Sequence, residues 1–231
     1  MRYIAGNVNT IISKLNGALA LTLKMCKLHF KNLCDKNEGF SGIRCQFDVQ
    51  TSMEVKGMFD NANGEAVSIS INDFSTLYTL FDHDHLLGNI SWLLSKLGKN
   101  SGCQYIRVGH DKAWWVATNA EGLVYSVADI LDMVDFLVRN TYVKALGGIF
   151  RQAKGIVMGG RVSGWLSDCS LMVDEFKFVD RKIRAGLTPE VTNLKYFRRY
   201  RDDCTTLNVD NFIQIAGEIY PPSLTLTQEN D

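Results

Sequence analysis

Tyr196-Phe197-Arg198-Arg199-Tyr200-Arg201-Asp202-Asp203-Cys204-Thr205-Thr206-Leu207-Asn208 is the stretch that decides the fold. Tyr196 to Tyr200 and Cys204 to Asn208 are rich in aromatic and β-branched residues, and they flank Asp202-Asp203 as two strands flank a tight turn. Aspartate is common in turns because it hydrogen-bonds its own backbone, so the pair alone is weak evidence for chemistry. A third carboxylate nearby would change that, because clustered carboxylates raise one another's pKa unless a cation neutralises them. Such a cluster suits a hard, oxygen-preferring divalent ion.

A candidate for the third carboxylate lies upstream. The run from Ala66 to Ile71 alternates apolar and small polar residues, and Asp73 follows it directly, with Tyr78 five residues further on. Strand parity sets Asp73 on the side of Val67, Ile69 and Ile71. Asp73 is therefore expected to lie past the buried part of the strand or beyond a bulge to meet solvent. Between the two acidic stretches, Gly155-Ile156-Val157-Met158-Gly159-Gly160 forms a glycine-rich loop ahead of a helix bearing Ser163 and Asp168. Its glycines allow close backbone approach to a base pair or a phosphate, but it lacks the Lys-Ser/Thr ending of a Walker loop.

The rest of the chain alternates helices and short strands. Apolar positions at Ile12, Leu15, Leu19, Leu23 and Phe30 predict a long helix from Thr10 to Leu33, with Lys24, Lys27 and Lys31 as a basic stripe and an interruption at Gly17. A second helix is predicted from His83 to Leu97, stopped by Gly98. His83, Asp84 and His85 are too close in sequence to converge on one ion and read as helix capping. Tyr105–Val108 and Trp114–Thr118 read as strands, with Trp114 and Trp115 on opposite faces. Ser126 and Asp129 form a capping box for a helix continuing through Val138. Thr141–Val143 and Ile149–Gln152 flank a hairpin turn placed at Gly147-Gly148.

Composition bounds the answer without naming it. The 231 residues are 46% hydrophobic and 22% charged with three prolines, which describes an ordinary globular chain. Net charge is zero, with 25 basic and 25 acidic residues, so any affinity for nucleic acid must come from local excess. Residues 1–45 supply one such excess: seven cations, Arg2 among them, against Asp35 and Glu38. Arg198, Arg199 and Arg201 form another beside the aspartate pair. The six cysteines lack disulfide-scaffold or metal spacing and read as reduced core thiols. Gly17–Leu23 is too short to span a membrane and no cleavable leader precedes it, so an intracellular, soluble protein is expected.

The motifs together carry a resemblance. Asp73-Phe74-Ser75-Thr76-Leu77-Tyr78-Thr79 resembles the first palm motif of reverse transcriptases close to the Penelope-like and related retroelement group. Gly155–Gly160 resembles that group's G-I-P-M-G loop and Tyr200–Asp203 its Y-x-D-D motif. Ile219-Tyr220-Pro221-Pro222-Ser223-Leu224 is similar to its I-Y-P-P-E-L segment, and Arg2-Tyr3-Ile4-Ala5-Gly6 to its R-x-I-A-G fingers segment. All five occur in collinear order. The resemblance implies an α+β fold, a polymerase palm whose antiparallel sheet is backed by helices, with partial helical fingers. It divides the chain into a partial fingers segment, 1–65, and a palm with inserted fingers elements, 66–231, ending before a thumb that would be supplied in cis or by another chain.

The implied function is RNA-directed DNA polymerase by two-metal nucleotidyl transfer. Asp73, Asp202 and Asp203 are the implied catalytic carboxylates, and with the Phe74 carbonyl they would hold two Mg2+ ions. Tyr78 would discriminate the sugar, Met158 and Gly159 would pack on the nascent base pair, and Arg2 would reach the template or triphosphate. The implied partners are an RNA template, a DNA primer and deoxynucleoside triphosphates. Departures from the pattern point to the alternative, a degenerate, non-catalytic nucleic-acid-binding or scaffold protein. Val157 and Gly164 stand where the family has proline, which predicts a less rigid loop. Asp82 also stands at a frequent proline position, and Arg201 takes a place usually small or apolar, where its guanidinium could compete with metal for Asp202 or Asp203.

Overall fold

The computed structural model describes residues 12–62, 64, 68–119 and 121–228. Arg2 and the segment resembling R-x-I-A-G lie outside the described residues, as do Ala66 and Val67. The chain is α+β. Its helices are α1 (Ser13–Ser41), α2 (Ser52–Asn61), α3 (Leu77–Leu80), α4 (His83–Ser101), α5 (Val127–Arg139), α6 (Ser163–Arg184), α7 (Thr188–Thr192) and α8 (Phe212–Ile219). Its strands are β1 (Ile69–Phe74), β2 (Tyr105–Val108), β3 (Ala113–Val116), β4 (Val124–Ser126), β5 (Tyr142–Ala145), β6 (Gly148–Arg151), β7 (Phe197–Tyr200), β8 (Asp203–Leu207) and β9 (Leu226–Gln228). Two compact units result, one from residues up to Phe30 and Tyr78–Ser170, the other from Lys31–Leu77 and residues from Leu171 onward.

In the first unit, α4 buries Leu86, Ile90, Leu93, Leu94 and Leu97, the stripe expected of a helix with one apolar face. Its cap is Asp82, whose carboxylate accepts from the His85 backbone N–H at 2.9 Å. The helix runs through Gly98 and stops at Gly102, which supplies the left-handed C-terminal conformation with φ 68°. Gly98 instead lies against the backbone, where an added Cβ would come 3.3 Å from the Cys103 carbonyl oxygen. The Ser126–Asp129 capping box forms in full at the start of α5. Strands β3, β2 and β4 make an antiparallel sheet in that order, and β5 and β6 make a separate hairpin.

Helix α1 is continuous through Gly17, because one glycine costs only about 1 kcal/mol in a helix this long. The basic stripe is only partly solvated, with Lys24 exposed and Lys31 half-buried. Lys27 is buried and bonds Asp168 at 2.7 Å, an arrangement that keeps a desolvated charge compensated.

The second unit is built on a four-stranded antiparallel sheet in the order β7-β8-β1-β9. Cross-strand partners share a face, so one face carries Asn72, Cys204 and Arg199 in a row, with Phe74 and Phe197 nearby. That face is buried. Phe197 packs on Phe47 and Phe212 with ring centroids 4.7 and 4.6 Å away, and Phe74 meets Tyr220 edge-on at 4.8 Å. The opposite face carries Ile69, Ile71, Asp73, Thr205, Asp203 and Tyr200. Met58 and Ala62 from α2 and its end cover Leu207 on this face, flanked by Val55, Phe59 and Tyr196.

Candidate active site

The acidic end of the sheet follows from two local features. Strands β7 and β8 are joined by a two-residue turn, Arg201-Asp202, since Tyr200 pairs with Asp203. The turn therefore sits one residue earlier than Asp202-Asp203, and Asp203 opens β8. Arg201 adopts φ 56°, a left-handed conformation that tight hairpin turns require and that non-glycine residues enter at a cost.

The second feature is register. Asp73 stands directly opposite Asp203 in the β1–β8 ladder, so the two side chains leave the same face. The Phe74 N–H donates to the Asp202 carbonyl at 3.1 Å, which ties the turn to the end of β1. Strand β9 lines the other edge of β1, and the Thr227 hydroxyl donates to the Asp73 carbonyl at 3.3 Å.

The parity expectation for Asp73 needs correction. Ile69 and Ile71 are 57% and 46% exposed while Asn72 is buried. The apolar residues of β1 lie on the open face with Asp73, and no bulge is needed to bring the carboxylate to solvent. The misreading came from equating an isoleucine-bearing face with the core. The core here is built instead from aromatic residues and a buried ion cluster.

The carboxylates also sense one another. Asp203 has its pKa raised, first by burial and then by the negative charges of Asp202 and Asp73. All three offer oxygen ligands, the chemistry that suits Mg2+. Among the described residues, no group of three or more His, Cys, Asp or Glu side chains already stands in an ion-holding arrangement. The donor set suits a hard cation by its chemistry, and Asp73 and Asp203 share a face.

Beneath this end lies a buried cluster that sequence reasoning did not single out. Arg199 and Glu175 are both fully buried, with Arg199 Nε 2.5 Å from Glu175 Oε1. The Tyr220 hydroxyl donates to the same oxygen at 3.0 Å, and the Phe47 N–H donates to Oε2 at 3.1 Å. Arg199 Nη1 is 3.7 Å from buried Asp48 and donates to the Arg201 carbonyl at 3.1 Å. Arg199 thus acts as a positioning residue for the turn that bears Asp202. A signal existed in the sequence: Glu175 lies one helical turn from Leu171, Met172, Phe178 and Val179 on α6, and a carboxylate on such an apolar face requires a partner. Tyr220 links the Ile219–Leu224 segment to this cluster. The Thr76 hydroxyl donates to the Ser223 carbonyl at 3.4 Å and accepts from the Thr225 N–H at 3.0 Å, fastening the same segment beside β1.

Tyr78, Met158 and Gly159 belong to the first unit. Tyr78 and Met158 are partly buried and Gly159 is exposed. The glycine loop is tied at its start, where the Gly155 N–H donates to the Phe81 carbonyl and the Ile156 N–H to the Tyr78 carbonyl, each at 2.8 Å. His83 Nε2 lies 2.8 Å from the Gly155 carbonyl. The Ser163 hydroxyl donates to the Val157 carbonyl, which restrains the loop.

No protein-family model matches the chain, and no curated protein does. Solved structures do. Telomerase from Candida albicans in complex with the TWJ fragment of telomeric RNA superposes with a TM-score of 0.58 at 14% identity, over 97% of this chain and 39% of that one. Apo telomerase from Candida tropicalis truncated from its C-terminal domain gives 0.57 at 12% identity, over 97% and 41%. The fold is reverse-transcriptase-like. The chain spans about two fifths of the length of these telomerases. Among the described residues no helix is long and apolar enough to cross a membrane.

Proposed function

We propose that this chain is the fingers-and-palm part of an RNA-directed DNA polymerase, with Asp73, Asp202 and Asp203 as its catalytic carboxylates. The observation that carries the reading is the cross-strand pairing of Asp73 with Asp203 beside the Asp202 turn, on the open face of an antiparallel sheet. The fold likeness to telomerase supports it, and the placement among Penelope-like elements rests on the sequence motifs alone.

In the reaction a primer 3′-hydroxyl attacks the α-phosphorus of a deoxynucleoside triphosphate. A new P–O bond forms, the bond to the β-phosphate breaks, and pyrophosphate leaves. Asp73 and Asp202, with Asp203 and the Phe74 carbonyl, would hold two Mg2+ ions. Bound magnesium supplies a lowered pKa for the attacking hydroxyl and neutralises charge on the leaving group. The sheet fixes where those carboxylates stand, and the Glu175–Arg199 pair fixes the turn through the Arg201 carbonyl. The exposed Ile69 and Ile71 leave an apolar floor next to the carboxylates. The sequence motifs assign sugar discrimination to Tyr78, base-pair packing to Met158 and Gly159, and a template or triphosphate contact to Arg2.

Primer extension on an RNA template with magnesium tests the reading. Incorporation that disappears in Asp202→Ala is the expected result. Nucleic-acid binding without incorporation by the unaltered chain would overturn it in favour of a non-catalytic scaffold.

A further inference from the structure

The hairpin β5–β6 is an element that the catalytic reading leaves without a role. It is a two-stranded ribbon in which Tyr142 pairs with Arg151, Val143 with Phe150, Lys144 with Ile149 and Ala145 with Gly148. Its turn is Leu146-Gly147, one residue earlier than the sequence suggested, with φ 49° and 78° at the two positions. Positive φ at both matches the twist of a tight hairpin. Isolated hairpins are marginally stable in water, and this one also exposes much of its apolar surface. Tyr142 is 58% exposed, Ile149 76%, Phe150 53% and Leu146 fully exposed. Such a concentration of exposed apolar groups marks an interaction surface.

Charge identifies what covers it. From Asn140 to Ser167 the chain carries Lys144, Arg151, Lys154 and Arg161 and no acidic residue, although charges balance over the chain as a whole. All four cations are exposed, and none forms an ion pair among the described residues. Two of them alternate with apolar groups on a single hairpin face, which presents Tyr142, Lys144, Ile149 and Arg151. A second copy of the chain would bring its own cations to this face and be repelled, and apolar protein interfaces are poor in lysine. A polyanion with flat apolar faces of its own fits both features, because phosphates pair with the cations while unstacked bases lie on the aromatic rings.

We infer that the β5–β6 hairpin is a binding surface for single-stranded nucleic acid, with Lys144 and Arg151 on the phosphates and Tyr142 under a base. Duplex fits less well, since its bases are already stacked and closed to the ring. The inference rests on the polymerase reading for the presence of nucleic acid, but it requires no turnover.

Fluorescence anisotropy with labelled single-stranded RNA, single-stranded DNA and duplex tests it across a salt series. Tyr142→Ala should weaken single-strand binding roughly 5- to 150-fold, the range for one stacked base. The double variant Lys144→Gln/Arg151→Gln should weaken it about tenfold or more and flatten the slope of log K against log salt by about 1.4, two contacts at about 0.7 each. All substituted side chains are exposed, and unchanged thermal melts would show the fold intact. Asp202→Ala separates the two claims: it should abolish extension and leave single-strand affinity within twofold of the parent. Wild-type affinity and salt slope in both hairpin variants would overturn the inference. So would losses confined to the duplex, or variants that change only self-association in sedimentation.

Discussion

Arg199→Met removes the guanidinium that faces two buried carboxylates, Glu175 and Asp48. In the parent, Arg199 Nε is 2.5 Å from Glu175 Oε1 and Nη1 is 3.7 Å from Asp48 Oδ1, all three residues being essentially inaccessible to solvent. Methionine fills much of the space but leaves Glu175 and Asp48 buried without the charge of Arg199. Breaking a buried pair in this way costs about 3–5 kcal/mol. At about 2–4 °C per kcal/mol for a chain of this size, the melting temperature should fall by roughly 6–20 °C. Urea and thermal unfolding followed by far-ultraviolet circular dichroism measure this directly. Adding Glu175→Gln to Arg199→Met should cost less than the sum of the two single changes, with a coupling of about 0.5–3 kcal/mol. A single-variant loss below about 1 kcal/mol, or strictly additive losses, would refute the assignment of this cluster as the anchor of the Asp202 turn. Because Arg199 also holds the Arg201 carbonyl, the variant should lose extension activity even at temperatures where it remains folded.

Gly155→Ala should cost roughly 2–5 kcal/mol, since φ is 83° and a Cβ would lie 2.4 Å from the Tyr78 carbonyl oxygen, a backbone atom with nowhere to go; denaturant titration reads this. Asp203→Asn should raise the melting temperature in metal-free buffer near neutral pH. The folded-state pKa of Asp203 is raised by burial, Asp202 and Asp73, so its favourable contribution is complete below the ordinary carboxylate range and is lost as pH rises through the shifted value; melts from pH 4 to 7 should show parent and variant diverging in that window. Leu146→Asn should stabilise the β5–β6 hairpin by about 1 kcal/mol, because Asn-Gly suits a turn with positive φ at both positions, read as slower hydrogen exchange of the hairpin amides.

Local chemistry in this chain was readable where neighbours in sequence decide the outcome. The Ser126–Asp129 capping box, the apolar face of α4 and the opposite faces of Trp114 and Trp115 all depend on a few adjacent residues. The absence of disulfide-scaffold spacing also agrees with the structure, in which none of the six cysteines forms a disulfide. What depends on partners distant in sequence was less visible. Lys27 reads in sequence as one member of a basic stripe, and only its pairing with Asp168, 141 residues away, explains how it can be buried. Ile69 and Ile71 looked like core because nothing in β1 itself says which face the aromatic layer covers. The Asp202 turn shifted by one residue because the pairing of Tyr200 with Asp203 is fixed by the ladder and not by turn propensity. That shift has a chemical consequence, as it moves Asp203 out of the turn and opposite Asp73. Glu175 was legible as an anomaly in an apolar helix face, though its partner Arg199 was masked by lying in a run of arginines.

On the proposed function, Asp73, Asp202 and Asp203 gather hard divalent cations at one end of this sheet. A crystal structure of the chain soaked in Mn2+, with anomalous scattering to locate the metal, tests it most directly. The account predicts metal density in contact with carboxylate oxygens of both Asp73 and Asp202, lost in Asp202→Ala. Metal bound elsewhere with these carboxylates bare, or a site that survives in Asp202→Ala, would contradict it.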